Sequence, residues 1–441
     1  MFSIPCTSCL WYCLINLMNG NIFFTIFLFI RFSPLERLDL CKKVLWKMIA
    51  NNKTEKILTI ILYQANLSVC KNKQRMKSLE AYSFYLSSIG FKKQCFLQES
   101  TGAFTKQEQN FLTYKHFLYS GRISDLVKIL LQTNFQQFLF IDIRSSLKLG
   151  NYEDIIHLKN ENFLPFLSYS CKADFKGKKY LLDANQNMEP VVDNSYDTFD
   201  YYQLTGDFFF TKEVLQQLSS YRFFEEFLHE RLTYEKQRAH LLFYNKTISL
   251  NSDPKHISSW VKSIRPSLFL DRDGILIEDT GYPHDPKKLI FLDDVLPILH
   301  FAKNKNWHLI IITNQSGLAR GLFKKDALNH CMDEIQSWMV ENDLSFDRFY
   351  YCPYHQNGKI DEYRKKTLLR KPDPGMFFQA VQDFPIDWNK SFMIGDKLSD
   401  QINNLNLTCL LKGQNFVPSK IKERTKVFSS FQKILHYLKT C

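Results

Sequence analysis

From about Pro266 onward, short apolar runs alternate with amphipathic stretches, and the runs that carry motifs stop at polar or acidic residues. The runs are SLFLD (267–271), LIIIT (309–313), FYYC (349–352), SFMIGD (391–396) and TCLLKG (408–413). Between them, 296–305, 324–340 and 375–383 have helical spacing. Alternation of this kind predicts an α/β fold with a parallel sheet. Ligands of open α/β sheets bind beyond the carboxyl ends of the strands. The polar residues at those ends are therefore the first candidates for chemistry.

The sharpest of them stand in FLDRDG (269–274), where an apolar strand runs into two carboxylates, Asp271 and Asp273, and a Gly turn. An extended chain puts side chains two apart on one side. One carboxylate could then attack phosphorus while the other handles a proton. D-x-D-G also occurs in calcium loops and glycosyltransferases, so the pair needs company. Three further pieces supply it. ITNQSGLARG (312–321) offers Thr313 and backbone N–H groups for phosphate oxygens, with Arg320 for a second anionic group. RKPDPGM (370–376) sets Lys371 before a helix start, as a point charge between phosphate and nucleophile. MIGDKLSD (393–400) ends a strand in Asp396, a hard oxygen ligand suited to magnesium.

These four pieces in this order resemble the haloacid dehalogenase-like phosphatases. More closely, they resemble the D-glycero-D-manno-heptose 1,7-bisphosphate phosphatases and their histidinol-phosphatase relatives. The likeness covers about 267–415 and includes DTGYPHDPKKLIFLDDV (279–295) and FYYCPYH (349–355). It implies a Rossmann-like domain in which Asp271 becomes an aspartyl-phosphate and Asp273 protonates the leaving oxygen, then activates water. It also implies magnesium on Asp271, the Asp273 carbonyl and Asp396, with Thr313 and Lys371 on the phosphate and Asp400 supporting that shell. Asn314, Arg320 and Arg370 would contact the sugar or its second phosphate. The substrate class implied is a small phosphorylated sugar in nucleotide-heptose or surface-polysaccharide (lipopolysaccharide) synthesis, with histidinol phosphate as the alternative. A scaffold with two vestigial domains is the alternative of another class, opposed by the intact quartet Asp271, Asp273, Lys371 and Asp396.

One departure stands out. Related heptose phosphatases commonly carry a structural zinc site, C-x-H followed by C-x-C. Here Cys352 remains, but Tyr354, Thr367 and Leu369 stand in the other places and His355 lies one position off. One thiolate and one displaced His cannot close a tetrahedral zinc site. No zinc is expected, and packing must hold 352–370 instead.

The 441 residues divide into an apolar segment 1–39, an α/β stretch 40–260 and the phosphatase-like 266–441. Strands are expected at 57–67, 138–143 and 201–210, and helices at 123–131 and 224–232. FLFIDIRSS (138–146), YYQLTGDFFFTKEVLQQL (201–218) and FFEEFLHERL (223–232) resemble a degenerate sugar nucleotidyltransferase. No Gly-rich start for a nucleotide phosphate is present, which leaves Asp142 a lone acid. Residues 10–30 are long enough for one bilayer span. Asn16, Asn19, Gly20 and Asn21 interrupt them, so a membrane anchor is disfavoured against a buried strand and helix.

Eleven scattered cysteines, an odd number, fit reduced thiols and a cytoplasmic chain. The net charge of +12 would suit a polyanionic partner if it surrounded the candidate site. It does not. Residues 266–410 hold 17 Lys and Arg against 20 Asp and Glu, while 411–441 hold 7 against 1, a basic tail. A polynucleotide substrate, which needs positive charge at the site, is thereby disfavoured.

Overall fold

The computed structural model describes 253–403, 405, 407–413 and 416–441 and, before these, the elements and short stretches between 13 and 241. Cys13–Met18 (β1) and Asn21–Ile26 (β2) pair antiparallel as a two-stranded sheet. This corrects the expected strand and helix. Asn19 and Gly20, between these strands in the sequence, lie outside the described residues. Among the described residues no helix is long and apolar enough to cross a membrane.

A nine-stranded sheet follows. It takes up Ile57–Gln64 (β3), Gln94–Glu99 (β4), His116–Tyr119 (β5), Gln137–Asp142 (β6), Phe163–Ser170 (β7), Tyr180–Leu182 (β8), Met188–Pro190 (β9), Tyr201–Thr211 (β10) and His240–Leu241 (β11). The order is β11-β7-β10-β6-β3-β4-β5, with β8 and β9 beside β10. Strands β6, β3, β4 and β5 run parallel, and β10 runs antiparallel to β6 and β7. Val69–Ser88 (α1) joins β3 to β4, and Lys212–Leu218 (α2) follows β10. Asp142 closes β6, as expected of FLFID. Within the two expected helices, the described residues Val127, Leu130, Leu131, Phe227 and 230–232 are helical.

Pro254–Ser263 (α3) leads into the second sheet; its N-cap Asp253 accepts from the Lys255 N–H. The strands are Ser267–Leu270 (β12), His308–Asn314 (β13), Arg348–Cys352 (β14), Phe392–Gly395 (β15), Thr408–Lys412 (β16) and Thr425–Phe428 (β17). Leu296–Asn304 (α4), Lys325–Glu341 (α5), Gly375–Asp383 (α6) and Phe431–Thr440 (α7) cover it. All pairings are parallel, in the order β14-β13-β12-β15-β16-β17. The expected parallel sheet is present, with one correction. The basic tail 411–441 contributes β17 and α7 to the domain rather than trailing from it. Thr425–Phe428 is only partly buried at the sheet edge, so its apolar pattern is weak in the sequence.

Both faces of this sheet are covered, which is why all four residues of β12, Ser267 and three consecutive apolar residues, can be buried. Alternate residues feed two cores. Leu268, Leu270, Leu309, Ile311, Ile394 and Leu410 join the core that includes α4, α5 and α7 residues. Phe269, Ile310, Ile312 and Met393 face the other way, toward α6. That second core is shared with the first sheet through Leu167, Tyr180, Tyr202 and Leu241, and the Tyr202 and Phe378 rings lie 6.2 Å apart. At its centre Phe269 meets Phe377 edge-on at 4.8 Å and stacks on Trp388 at 5.7 Å. Removing that ring leaves a cavity beneath β12. Phe269→Ala is expected to cost about 3–5 kcal/mol, measured as a loss of stability in urea with Trp388 fluorescence among the probes.

Candidate active site

The order of the six strands reverses at β12. The strands β13 and β14 lie to one side and β15, β16 and β17 to the other. The crevice at such a reversal is where open α/β sheets take ligands. Asp271 stands at the end of β12 and Asp396 at the end of β15, and the Asp271 N–H donates to the Ile394 carbonyl at 2.9 Å.

Two glycines let the acids converge. Gly274 has φ +84°, open to Gly at little cost, and a Cβ there would lie 2.2 Å from Asp396 Oδ2. A Cβ on Gly395 would lie 2.2 Å from Asp400 Oδ2. With both positions bare, Asp271, Asp396 and Asp400 each bring a ligand oxygen within 4.8 Å of the others. Asp396 Oδ1 is buried with no hydrogen-bond partner among the described residues. Burial, followed by the neighbouring carboxylates of Asp271, Asp400 and Asp279 against the opposing Lys397, pushes the Asp396 pKa up to about 7. An all-oxygen cluster that is hard to ionise alone fits a hard divalent cation.

The positive partner is Lys371. Its buried ammonium lies 2.6 Å from Asp400 Oδ1 and 3.0 Å from Asp271 Oδ1. Burial alone would lower its pKa, but the two carboxylates carry it above the usual lysine value. Asp400 Oδ2 also accepts from the Lys397 N–H at 3.0 Å, so this carboxylate is fixed from two sides. Burial raises its pKa, opposed by Lys371.

Asp273 is built differently. Arg272, fully buried, donates from Nε to Asp273 Oδ1 at 2.7 Å and from Nη2 to the Pro283 carbonyl at 3.0 Å. Gln315 Nε2 donates to Thr313 Oγ1 at 2.9 Å and to Asp273 Oδ2 at 3.3 Å. Burial raises the Asp273 pKa, and Arg272 and Gln315 moderate the rise. A carboxyl in that environment can hold a proton and release it. Sequence reading passed over Arg272 and Gln315. A basic residue wedged between two acids in a strand-to-turn segment is the signal that could have found the first.

Of the expected substrate contacts, Arg320 and Arg370 each keep a buried guanidinium nitrogen without a hydrogen-bond partner among the described residues. Arg320 lies over the Tyr282 ring at 6.0 Å. Burial, then Arg370 and Arg320, lowers the His355 pKa, so the three share one cationic corner. Asn314 is bound to Lys371. Its Oδ1 accepts from the Lys371 N–H and its Nδ2 donates to the Lys371 carbonyl, both at 3.0 Å. The amide is closed on the backbone of the lysine.

Cys352, Tyr354, Thr367 and Leu369 are engaged within the loop and its neighbours. Cys352 is buried and its Sγ donates to the Tyr354 carbonyl at 3.7 Å; Thr367 Oγ1 accepts from the Leu369 N–H at 3.1 Å. Lys365 lies 4.0 Å over the Tyr354 ring, and the Ala319 carbonyl accepts from the Lys359 and Ile360 N–H groups at 2.7 and 3.0 Å. Packing and backbone bonds of this kind hold the loop.

Over 136 residues the chain is 40% identical to the D-glycero-beta-D-manno-heptose-1,7-bisphosphate 7-phosphatase of Escherichia coli K12, a stretch covering 31% of this chain and 71% of that protein. The chain belongs to this phosphatase family. Another heptose-bisphosphate 7-phosphatase, from Pasteurella multocida, is 39% identical over 139 residues, 32% of this chain and 75% of the relative. The family model described as polynucleotide kinase 3 phosphatase matches 268–429. A solved D,D-heptose 1,7-bisphosphate phosphatase from B. bronchiseptica, complexed with magnesium and phosphate, aligns at 24% identity and a TM-score of 0.35, covering 40% of this chain and 99% of its own. The inositol-1-phosphate CTP transferase of T. maritima aligns at 13% identity and a TM-score of 0.31, covering 47% and 96%. As a member of the heptose-bisphosphate 7-phosphatase family, the chain is a phosphoric monoester hydrolase.

The raised Asp396 pKa has a thermodynamic consequence that can be measured without substrate. The folded protein holds this proton up to about pH 7, whereas an ordinary carboxyl of value 3.8 loses it earlier. The stability Asp396 contributes is therefore present below about pH 4 and lost as pH rises through about 7. In chelator-treated protein, the difference in Tm between wild type and Asp396→Asn is expected to move in the variant's favour as pH rises from about 5 to about 8.

Proposed function

We propose that this protein is a magnesium-dependent phosphatase acting on a small phosphorylated sugar, with D-glycero-D-manno-heptose 1,7-bisphosphate as substrate, in nucleotide-heptose or surface-polysaccharide synthesis. The reading is carried by one observation. Three convergent carboxylates and a buried lysine meet at the strand-order reversal of a family member.

Asp271 is the nucleophile. Lys371, 3.0 Å from its Oδ1, orients it and offsets the charge of the incoming phosphoryl group. Attack of the carboxylate oxygen on phosphorus forms the aspartyl-phosphate as the bond to the leaving oxygen breaks. Asp273, protonated in its buried setting, delivers its proton to that oxygen. It then takes a proton from the water that attacks the aspartyl-phosphate, which returns Asp271 and inorganic phosphate. Arg272 and Gln315 hold Asp273 for both transfers. Thr313 faces the phosphoryl oxygens, and Arg320 and Arg370 take the distal anionic group. Asp271, Asp396 and the Asp273 carbonyl would hold magnesium, which supplies positive charge against the phosphoryl oxygens. Asp400 sets Lys371. A polynucleotide end is a poor fit, since 266–410 has 20 acidic against 17 basic residues.

The test is phosphate release by purified protein with magnesium from heptose 1,7-bisphosphate, beside sugar monophosphates and histidinol phosphate. Asp271→Asn is expected to lower kcat by at least ~10³-fold, as removal of a nucleophile does. Gly274→Ala, which drives a methyl group into Asp396, is expected to be nearly as severe and to weaken magnesium binding in calorimetry. No turnover of any sugar phosphate by the wild-type protein would overturn the reading.

A further inference from the structure

The turn that carries Lys371 is gripped from behind by a part of the chain outside the motifs. Asn403 lies on the loop after Asp400. Its backbone N–H donates to the Pro372 carbonyl at 2.7 Å and its Nδ2 to Asp373 Oδ1 at 3.1 Å. Asn403 is held in turn by Lys422, whose ammonium donates to Asn403 Oδ1 and, at 2.7 Å, to the Gln401 carbonyl. The Lys422 N–H donates to Gln401 Oε1 at 2.7 Å, and Gln401 Nε2 to the Lys420 carbonyl at 3.1 Å. Gln401 is buried, so 401–403 and 420–422 form one bonded unit. On the opposite side, Asn314 closes on both backbone groups of Lys371. Residues 371–373 are thus clamped between two asparagines, and Lys422 anchors the second.

We propose that Asn403 and Lys422 are positioning residues of the phosphatase: together they hold the 371–373 turn so that the Lys371 ammonium stands between Asp271 and Asp400. The chemistry supports a role beyond folding. The Lys422 ammonium makes two bonds, both to groups of the loop that holds the turn, and the residue as a whole is exposed. Its loss leaves Asn403 Oδ1 within reach of water, so the fold loses little. The orientation of Asn403 loses its fixed partner. A reacting constellation is sensitive to displacements of about 1 Å.

The proposal rests on the phosphatase reading, and one experiment separates their failures. Wild type, Lys422→Met, Lys422→Arg, Asn403→Ala and Asn403→Ser are compared for kcat and KM toward the best sugar phosphate and for Tm. Arg348→Met, which breaks an exposed ion pair with Asp383, is the control. Lys422→Met and Asn403→Ala are expected to lower kcat about tenfold, with KM changed less than about twofold and Tm close to that of the control. Lys422→Arg is expected to recover most of the rate. An unchanged kcat in Lys422→Met, or a fall matched by the control, overturns the strap while leaving the phosphatase reading intact. An inactive wild type overturns that reading itself. If Asn403→Ala does not fold, Asn403→Ser and the Lys422 pair decide.

Discussion

The site depends on one buried cation. Lys371 sits buried between Asp271 and Asp400, and its ammonium opposes the burial that raises the Asp400 pKa. A point charge on a long stem neutralises both acids from one side and leaves the Asp396 side open for a divalent cation. The pair with Asp400 is buried, so removing either partner would strand the other in a low-dielectric setting. Much of the surrounding structure can be understood as fixing that ammonium. Asn314 holds its backbone from β13, Asn403 holds the next two residues, and the Lys397 N–H holds Asp400.

A second arrangement, built from polar residues, serves Asp273. Asp271 and Asp273 are two residues apart, yet Asp271 faces Lys371 and Asp273 faces Arg272 and Gln315. Two carboxyls of the same kind thereby acquire different surroundings, and burial raises the pKa of Asp273 against the pull of Arg272 and Gln315. Beneath both, Phe269 anchors β12 against Phe377 and Trp388, and its core extends to Tyr202 of the other sheet. The floor of the site is therefore packed in part by the N-terminal half.

Legibility followed the strength of the local signal. The strands of the second sheet that bear motifs are buried on both faces, so their apolar runs were unmistakable, and α6 was expected at its observed bounds. Thr425–Phe428 was missed because an edge strand needs few apolar residues. The strand pair 13–18 and 21–26 was missed because two short apolar runs of six residues carry too little periodicity to separate strand from helix. In the site, Asp271, Asp273, Lys371 and Asp396 were named from spacing. Gln315 and Asn403 were passed over because they meet partners far along the chain, Gln315 reaching Asp273 from 42 positions away, whereas Arg272 carried a local signal between its two acids.

The sequence by itself determined the chemistry available: which acids end which strands, which lysine precedes the Pro-flanked helix, and that the positive charge lies outside 266–410. Local pattern can do this because strand burial and turn chemistry are properties of neighbouring residues. Only the tertiary structure decided what each group meets. It closed the Asn314 amide on the backbone of Lys371, set Asp400 against the Lys371 ammonium, and brought Lys422 to Asn403 beside the 371–373 turn. The reason is electrostatic as well as steric. A charge in the interior takes its state from whatever other charges and donors the fold sets within a few ångströms, and sequence spacing does not encode that distance.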